Sequence, residues 1–206
     1  MKNNNIITIL ALNSIKGIGA AAIKKLWLTG FFNNQDPFTG IGEGLEVLKK
    51  QQDSSTIEIV KQEAEKIINS CNSDEIKLIP ISDDNYPQKI TQIKNPPPVL
   101  FYKGNLGLTE KTIGVIGTRD PNKTARIIAG RIGKYFSDKG FSIVNGLALG
   151  IDREAIQLED NYHSNTIGIM AGGLNYNQEK TLLRSTAIEA EKILDNGGLL
   201  LSEYQS

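Results

Sequence analysis

Four short segments carry the residue types from which a binding chemistry can be built. They are Gly117-Thr118-Arg119-Asp120, then Asn145-Gly146-Leu147-Ala148 running on to Gly150-Ile151-Asp152, then Gly172-Gly173-Leu174-Asn175, and finally Ser202-Glu203-Tyr204. Glycine lets a ligand approach the backbone closely, and exposed N–H groups, helped by the positive ends of the helices that follow, attract an anion. Arg119 is the sharpest of these residues, because a guanidinium beside a Gly-Thr turn chelates a pair of phosphate oxygens. Against this stands the plain reading of each segment as a tight turn without ligand, and of Arg119 as a surface ion pair with Asp120. Convergence of the segments on one rim is what favours a phosphate-accepting crevice. Lys123, Arg126 and Lys134 follow in positions where they either track a phosphate backbone or form a solvated helix face. Asp152 reads as a helix N-cap in preference to a catalytic acid.

The elements that would position these segments begin at Thr112. Apolar runs predict strands over 112–117, 142–145, 166–171 and 198–202, alternating with amphipathic helices over 123–137, 152–158 and 179–194. Short continuous apolar strands suit a parallel sheet buried on both faces, and ligands of such sheets bind at the carboxyl ends of the strands. Earlier in the chain, two short helices are expected around Lys16-Gly17-Ile18-Gly19, then a loop over 30–44. A helix follows over 55–70 with Ile57, Val60, Ala64 and Ile67 on one face, then a strand over 77–81 and a proline-punctuated connector over 85–98.

The chain has 206 residues, 39% hydrophobic and 22% charged, enough for one or two domains with a real core. No apolar run approaches the ~18 residues of a membrane helix, so no membrane partner is expected. A signal peptide is not favoured either, because Asn13 and Lys16 interrupt the early apolar run. The 23 basic and 23 acidic residues cancel overall but are unevenly spread. Between Lys111 and Lys139, seven basic residues face two acidic ones, and from Ile151 onward four basic residues face nine acidic ones. Such a split can hold a polyanion on one side and stay solvated on the other.

Enzyme and metal readings fail for lack of parts. Cys71 and His163 are the sole cysteine and histidine, so a disulfide or a structural zinc site is excluded and a reducing cytoplasm fits. Neither a G-x-x-x-x-G-K-[ST] loop nor a G-x-G-x-x-G turn is present, and His163 lies in a polar stretch without a nucleophile partner. Asp152 and Glu203 make a pair of acids at strand ends with no base beside them. Binding without a cofactor is the better reading. Residues 12–26 add an independent signal, a Gly-hydrophobic-Gly hairpin between two helices whose backbone can contact phosphates, with Lys16, Lys24 and Lys25 in support, or which serves packing alone.

Taken in order, these residues resemble the DNA-processing protein A (DprA, or Smf) family of bacteria. The resemblance rests on the helix-hairpin-helix opening, Asp84-Asn85-Tyr86-Pro87, Pro97-Pro98-Val99-Leu100-Phe101-Tyr102-Lys103-Gly104 and Gly114-Val115-Ile116-Gly117-Thr118-Arg119. It continues through Asn145 to Asp152 and closes with Leu200-Leu201-Ser202-Glu203-Tyr204. It implies an α/β fold, a Rossmann-like parallel sheet with helices on both faces over 73–206. A small helical, helix-hairpin-helix or SAM-like domain over 1–72 precedes it. It further implies a cytoplasmic, non-enzymatic protein that binds single-stranded DNA, protects it, and helps load the RecA recombinase in natural transformation, as a homodimer.

Carried over by motif, the resemblance puts Gly117, Thr118 and Arg119 in a phosphate-binding turn, and Gly146, Gly150 and Asp152 in a second loop. It places Lys180 at a basic DNA-contacting position. Lys123, Arg126, Gly172, Gly173, Ser202 and Glu203 complete the expected surface, and Tyr176 or Tyr204 could stack on bases. Leu149 and Ile156 replace a basic residue and a histidine common in the family, and the chain stops where relatives usually continue. An exposed edge strand near 199–201 is therefore expected. The alternative function is a sensor of a nucleotide or nucleotide-derived ligand on the same fold; transfer or hydrolysis on a phosphorylated ribosyl substrate is a third reading.

Overall fold

In the computed structural model, which describes residues 2–32, 36–157, 164–176 and 184–204, the chain forms two units, Met1–Leu100 and Phe101–Ser206. The first is built from α1 (Lys2–Ser14), α2 (Ala20–Leu28), α3 (Pro37–Val47), α4 (Ser54–Ser73), β1 (Lys77–Pro80) and the short α5 (Gln88–Thr91). Ile9, Leu12, Ile23, Leu26 and Ile41 are fully buried and form its centre. The hairpin between α1 and α2 turns at Gly17, whose φ of +86° is open to glycine at little cost.

Helix α3 begins within the span expected to be a loop and runs past its end. The glycines there mask a sound start signal: Asp36 caps the helix by accepting from Thr39 N at 3.1 Å, and Pro37 occupies the first turn. Gly44 is kept small by packing, since a Cβ there would come within 2.8 Å of Leu12. In α4 the buried positions are Ile57, Val60, Ala64, Ile68 and Cys71, so Ile68 and not Ile67 completes the apolar face. Asp53 caps this helix through Thr56 N at 2.7 Å. The proline-rich connector is fastened by Tyr86, buried, whose hydroxyl donates to the Pro97 carbonyl at 2.7 Å.

Strand β2 (Val99–Gly104) begins beside β1 in the first unit and runs into the second, which continues with β3 (Thr112–Gly114), α6 (Lys123–Asp138), β4 (Ser142–Asn145), α7 (Ile151–Ile156), β5 (Thr166–Ile169), α8 (Arg184–Asp195) and β6 (Leu199–Ser202). The strands of the second unit are ordered β2-β6-β5-β4-β3. Pairs β3/β4, β4/β5 and β5/β6 are parallel, as the alternation requires. Strand β2, hidden in the sequence behind the proline run, pairs antiparallel with β6, Phe101 opposite Ser202 and Gly104 opposite Leu199, so the α/β sheet is mixed and not wholly parallel.

That pairing also corrects the expected edge. The segment 199–201 lies between β2 and β5, with Leu199 and Leu200 wholly buried, and among the described residues the strand of the second unit with a neighbour on one side only is β3. Helix α6 crosses α7 closely: a Cβ on Gly133 would lie 1.7 Å from the Ala155 carbonyl oxygen, so only glycine permits this approach.

Candidate functional site

Because β3, β4, β5 and β6 run parallel, the loops after them share one rim. On the β3 side, Gly117, Thr118 and Arg119 are exposed in a loop that runs from the end of β3 to Asn122, the N-cap of α6, whose side chain accepts from Ala125 N at 2.8 Å. Arg119 makes no hydrogen bond or ion pair to any described residue, so the expected alternative, a pair with Asp120, does not form. The Asp120 N–H instead donates to the Thr118 hydroxyl at 3.2 Å, which closes the turn and leaves the guanidinium outside it.

Asp152 holds the adjoining loop in place. It is buried, and its carboxylate accepts from Gly117 N at 3.3 Å through one oxygen and from Gly146 N at 3.1 Å through the other. It is therefore not the N-cap of α7, a position taken by Gly150. Two of the backbone donors expected to receive an external anion are thus occupied by a carboxylate of the chain itself. Charge-assisted bonds of this kind exceed neutral ones in strength. Ile151 N adds a bond to Thr118 O at 3.1 Å. Gly150 has φ +88°, and a Cβ on it would strike the Thr118 carbonyl oxygen at 2.3 Å. The Gly117 and Gly150 turns thus bear on the loops facing them, and the Arg119 side chain takes no part in that contact.

Two residues of the second segment, to which the sequence alone assigns no separate role, complete this frame. Asn145, buried at the end of β4, donates to the Asp152 carbonyl at 2.8 Å and accepts from Leu147 N at 3.1 Å. Leu147 adopts φ +57°, unusual for a residue with a Cβ, and its side chain packs on Gly168, where a Cβ would lie 2.7 Å from it. A buried asparagine at a strand end two residues before a leucine is the available signal, and only the fold shows what it bonds.

The β5 and β6 side of the rim is fastened differently. The Ser202 hydroxyl, buried, donates to Gly172 O at 2.7 Å and accepts from Tyr204 N at 3.0 Å, so Ser202 and Gly172 join two loops and present little to a ligand. Gly173 is half-buried, Glu203 is exposed, and Tyr204 is 53% exposed. Tyr176 is buried with its hydroxyl 2.8 Å from Glu191, which removes it as a stacking platform; burial and that carboxylate hold its pKa far above the ordinary phenol value. Lys180 and His163 lie outside the described residues.

The basic segment divides in the same way. Arg126 donates to Glu154 at 2.8 Å and to the Pro121 carbonyl at 3.2 Å, Lys134 pairs with Asp138 at 3.1 Å, and Lys111 donates to Lys139 O at 2.9 Å. Arg119, Lys123 and Arg131 remain exposed and unpaired among the described residues. In the first unit, Lys24 donates to the carbonyls of Thr91 and Ile93 at 2.9 and 2.8 Å, so it fastens the connector and does not serve the hairpin, while Lys16 and Lys25 are exposed. Cys71 is a buried free thiol whose pKa burial, with Asp74 nearby, pushes up to about 11, the opposite of an activated nucleophile. Among the described residues no cluster suited to a metal ion is found, and no helix is long and apolar enough to cross a membrane.

Comparison with known proteins gives a consistent picture. The family described as DNA recombination-mediator protein A matches residues 77–206. The chain is 39% identical to the DNA processing protein DprA of Bacillus subtilis (strain 168) over 103 residues, 49% of this chain and 35% of that protein. It is 28% identical to the protein Smf of Synechocystis sp. over 203 residues, 95% of this chain and 42% of the relative. The chain therefore spans well under half the length of these two curated relatives. The solved DNA processing protein A of Streptococcus pneumoniae shares the fold, with a TM-score of 0.66 at 22% identity across 98% of this chain and 68% of that one. The protein of the same description from Helicobacter pylori, whose structure is described as giving insight into a unique single-stranded DNA binding mode, matches with a TM-score of 0.50 at 25% identity, over 64% of this chain and 57% of that one.

Proposed function

The chain belongs to the DNA recombination-mediator protein A family, and from that premise we propose that it binds single-stranded DNA through the phosphates, without catalysis, at the rim led by Arg119. The observation that carries the reading is the unpaired, exposed guanidinium of Arg119 on a loop held from behind by Asp152 and Gly150. Lys123 and Arg131, also exposed and unpaired among the described residues, add positive charge on α6, and phosphate contacts of this kind give affinity without sequence preference. Gly117, Thr118, Gly146 and Gly150 act as the frame of the site, Asp152 as its fastener, and Lys180 as a further cationic contact. Protection of incoming DNA, loading of RecA and a homodimeric state in the cytoplasm belong to the same proposal, as does the division into a helical domain over 1–72 and a Rossmann-like domain over 73–206; the start of the family match at residue 77 supports that division.

The nucleotide-sensor reading has less support, because the Gly117 and Gly146 N–H groups that would hold a compact phosphate already serve Asp152. A titration of fluorescent single-stranded and double-stranded oligonucleotides at two ionic strengths tests the proposal. Tighter binding of the single strand is expected, with a salt slope of about 0.7 per phosphate contacted. A native-state ligand raises thermal stability, so a shift produced by nucleotides and not by oligonucleotides would favour the sensor and remove the DNA reading.

A further inference from the structure

Ser82-Asp83-Asp84 joins β1 to the Tyr86 fastening and takes no part in the rim of the second unit. Within the first unit it helps to enclose a cavity of about 120 Å³, lined by Asn5 of α1, Pro80 at the end of β1, Ser82, Asp83 and Asp84. The side chains of this lining offer two carboxylates, an amide and a hydroxyl, and none is cationic. The Ser82 hydroxyl oxygen is buried and finds no hydrogen-bond partner among the described residues. A buried hydroxyl left unmatched is unfavourable, so this one points to a partner supplied from outside the chain. Asp84 is exposed and makes no hydrogen bond or ion pair to any described residue. Asp83 shapes the turn: its N–H donates to Pro80 O at 2.9 Å, and its Oδ1 accepts from Asn85 N and Nδ2 at 2.9 and 3.1 Å.

We propose that this cavity binds a hard divalent cation, Mg²⁺ or Ca²⁺, through Ser82, Asp83 and Asp84, with water completing the shell. Hydroxyl and carboxylate oxygens are ligands that such ions take, and the lining holds no thiol or imidazole to favour a softer metal. The volume is far above the ~15 Å³ that admits one water and far below the ~300 Å³ of a small-molecule pocket, which suits an ion carrying part of its hydration. Ionised carboxylates on consecutive residues that line one cavity repel each other, and a cation between them relieves the repulsion. Because Asn5 belongs to α1 and Pro80 to β1, the bound ion joins the helix that opens the hairpin to the start of the connector. Two carboxylates on a surface turn place the affinity in the weak range of oxygen sites, with a dissociation constant of about 0.1–1 mM.

This inference stands apart from DNA binding and is tested on the full chain without DNA. Thermal unfolding is compared in EDTA, MgCl2 and CaCl2, with NaCl added to equal ionic strength so that general screening is common to all. At about 10 mM, a cation bound to the native state should raise the melting temperature by about 3 °C or more, and the larger rise identifies the preferred ion. Asp84→Asn, at an exposed position, and Ser82→Ala should each remove most of that rise, while Glu63→Gln, exposed on α4, should keep it. In EDTA, Ser82→Ala should melt no lower than the parent, because it deletes a hydroxyl that has nothing to bond. Calorimetric titration of the folded protein reads the site directly, with affinity at least about tenfold weaker in Asp84→Asn. No rise beyond the NaCl control, a rise kept in full by either variant, or a lower EDTA melting temperature for Ser82→Ala would each overturn the proposal.

Discussion

Strand β6 lies between β2 and β5 with all four of its residues buried, whereas β3, three residues long, has one neighbour and no fully buried residue. Both are short apolar segments leading into loops of the same rim. Their difference shows that burial on two faces and two edges is a property of place in the sheet, not of composition. It also separates two tasks. The β6 side supplies rigidity, with Ser202 closed onto Gly172, and the β3 side supplies exposure, with Arg119 outside its own turn.

Substitutions on the two sides should behave accordingly. Leu200→Ala, in the fully buried strand, should cost about 3 kcal/mol in chemical denaturation, the cost of a core truncation that leaves a cavity. Asp152→Ala should cost about 2 kcal/mol, because two backbone donors lose a charged acceptor, and Asp152→Asn should recover part of this. Arg119→Ala should leave the melting temperature unchanged and weaken single-stranded DNA binding about tenfold, near 1.4 kcal/mol; unchanged affinity by fluorescence anisotropy removes Arg119 from the site. Ile116→Ala, on the open edge, should change stability by less than about 0.5 kcal/mol. The smallest effect concerns pH. The Asp53 carboxyl is held below its usual 3.8, chiefly by the Thr56 N–H, so its support of α4 is present above that value and fades as pH falls through the lower folded value. Asp53→Asn should flatten that part of the acid-unfolding curve.

Much of this architecture is legible in the sequence. The alternation after Thr112 gives the βα order, and the bounds of β4 coincide with those read from its apolar run. Helix α3 is obscured because Gly40, Gly42 and Gly44 read as breakers, although Asp36-Pro37 is a valid start. The edge is misplaced because chain order does not give spatial order: β2, from far earlier in the chain, covers β6. Of the site, Arg119 and the glycines can be picked out by type, but their use cannot. That Asp152 reaches Gly117, 35 residues away, and so takes a donor otherwise open to a ligand, depends on a contact only the folded chain brings about.

One carboxylate bonded to two neighbouring strand tips has a mechanical consequence. The loops after β3 and β4 are tied to one carboxylate in the first turn of α7, so a displacement of the Arg119 turn is shared between the sheet and that helix.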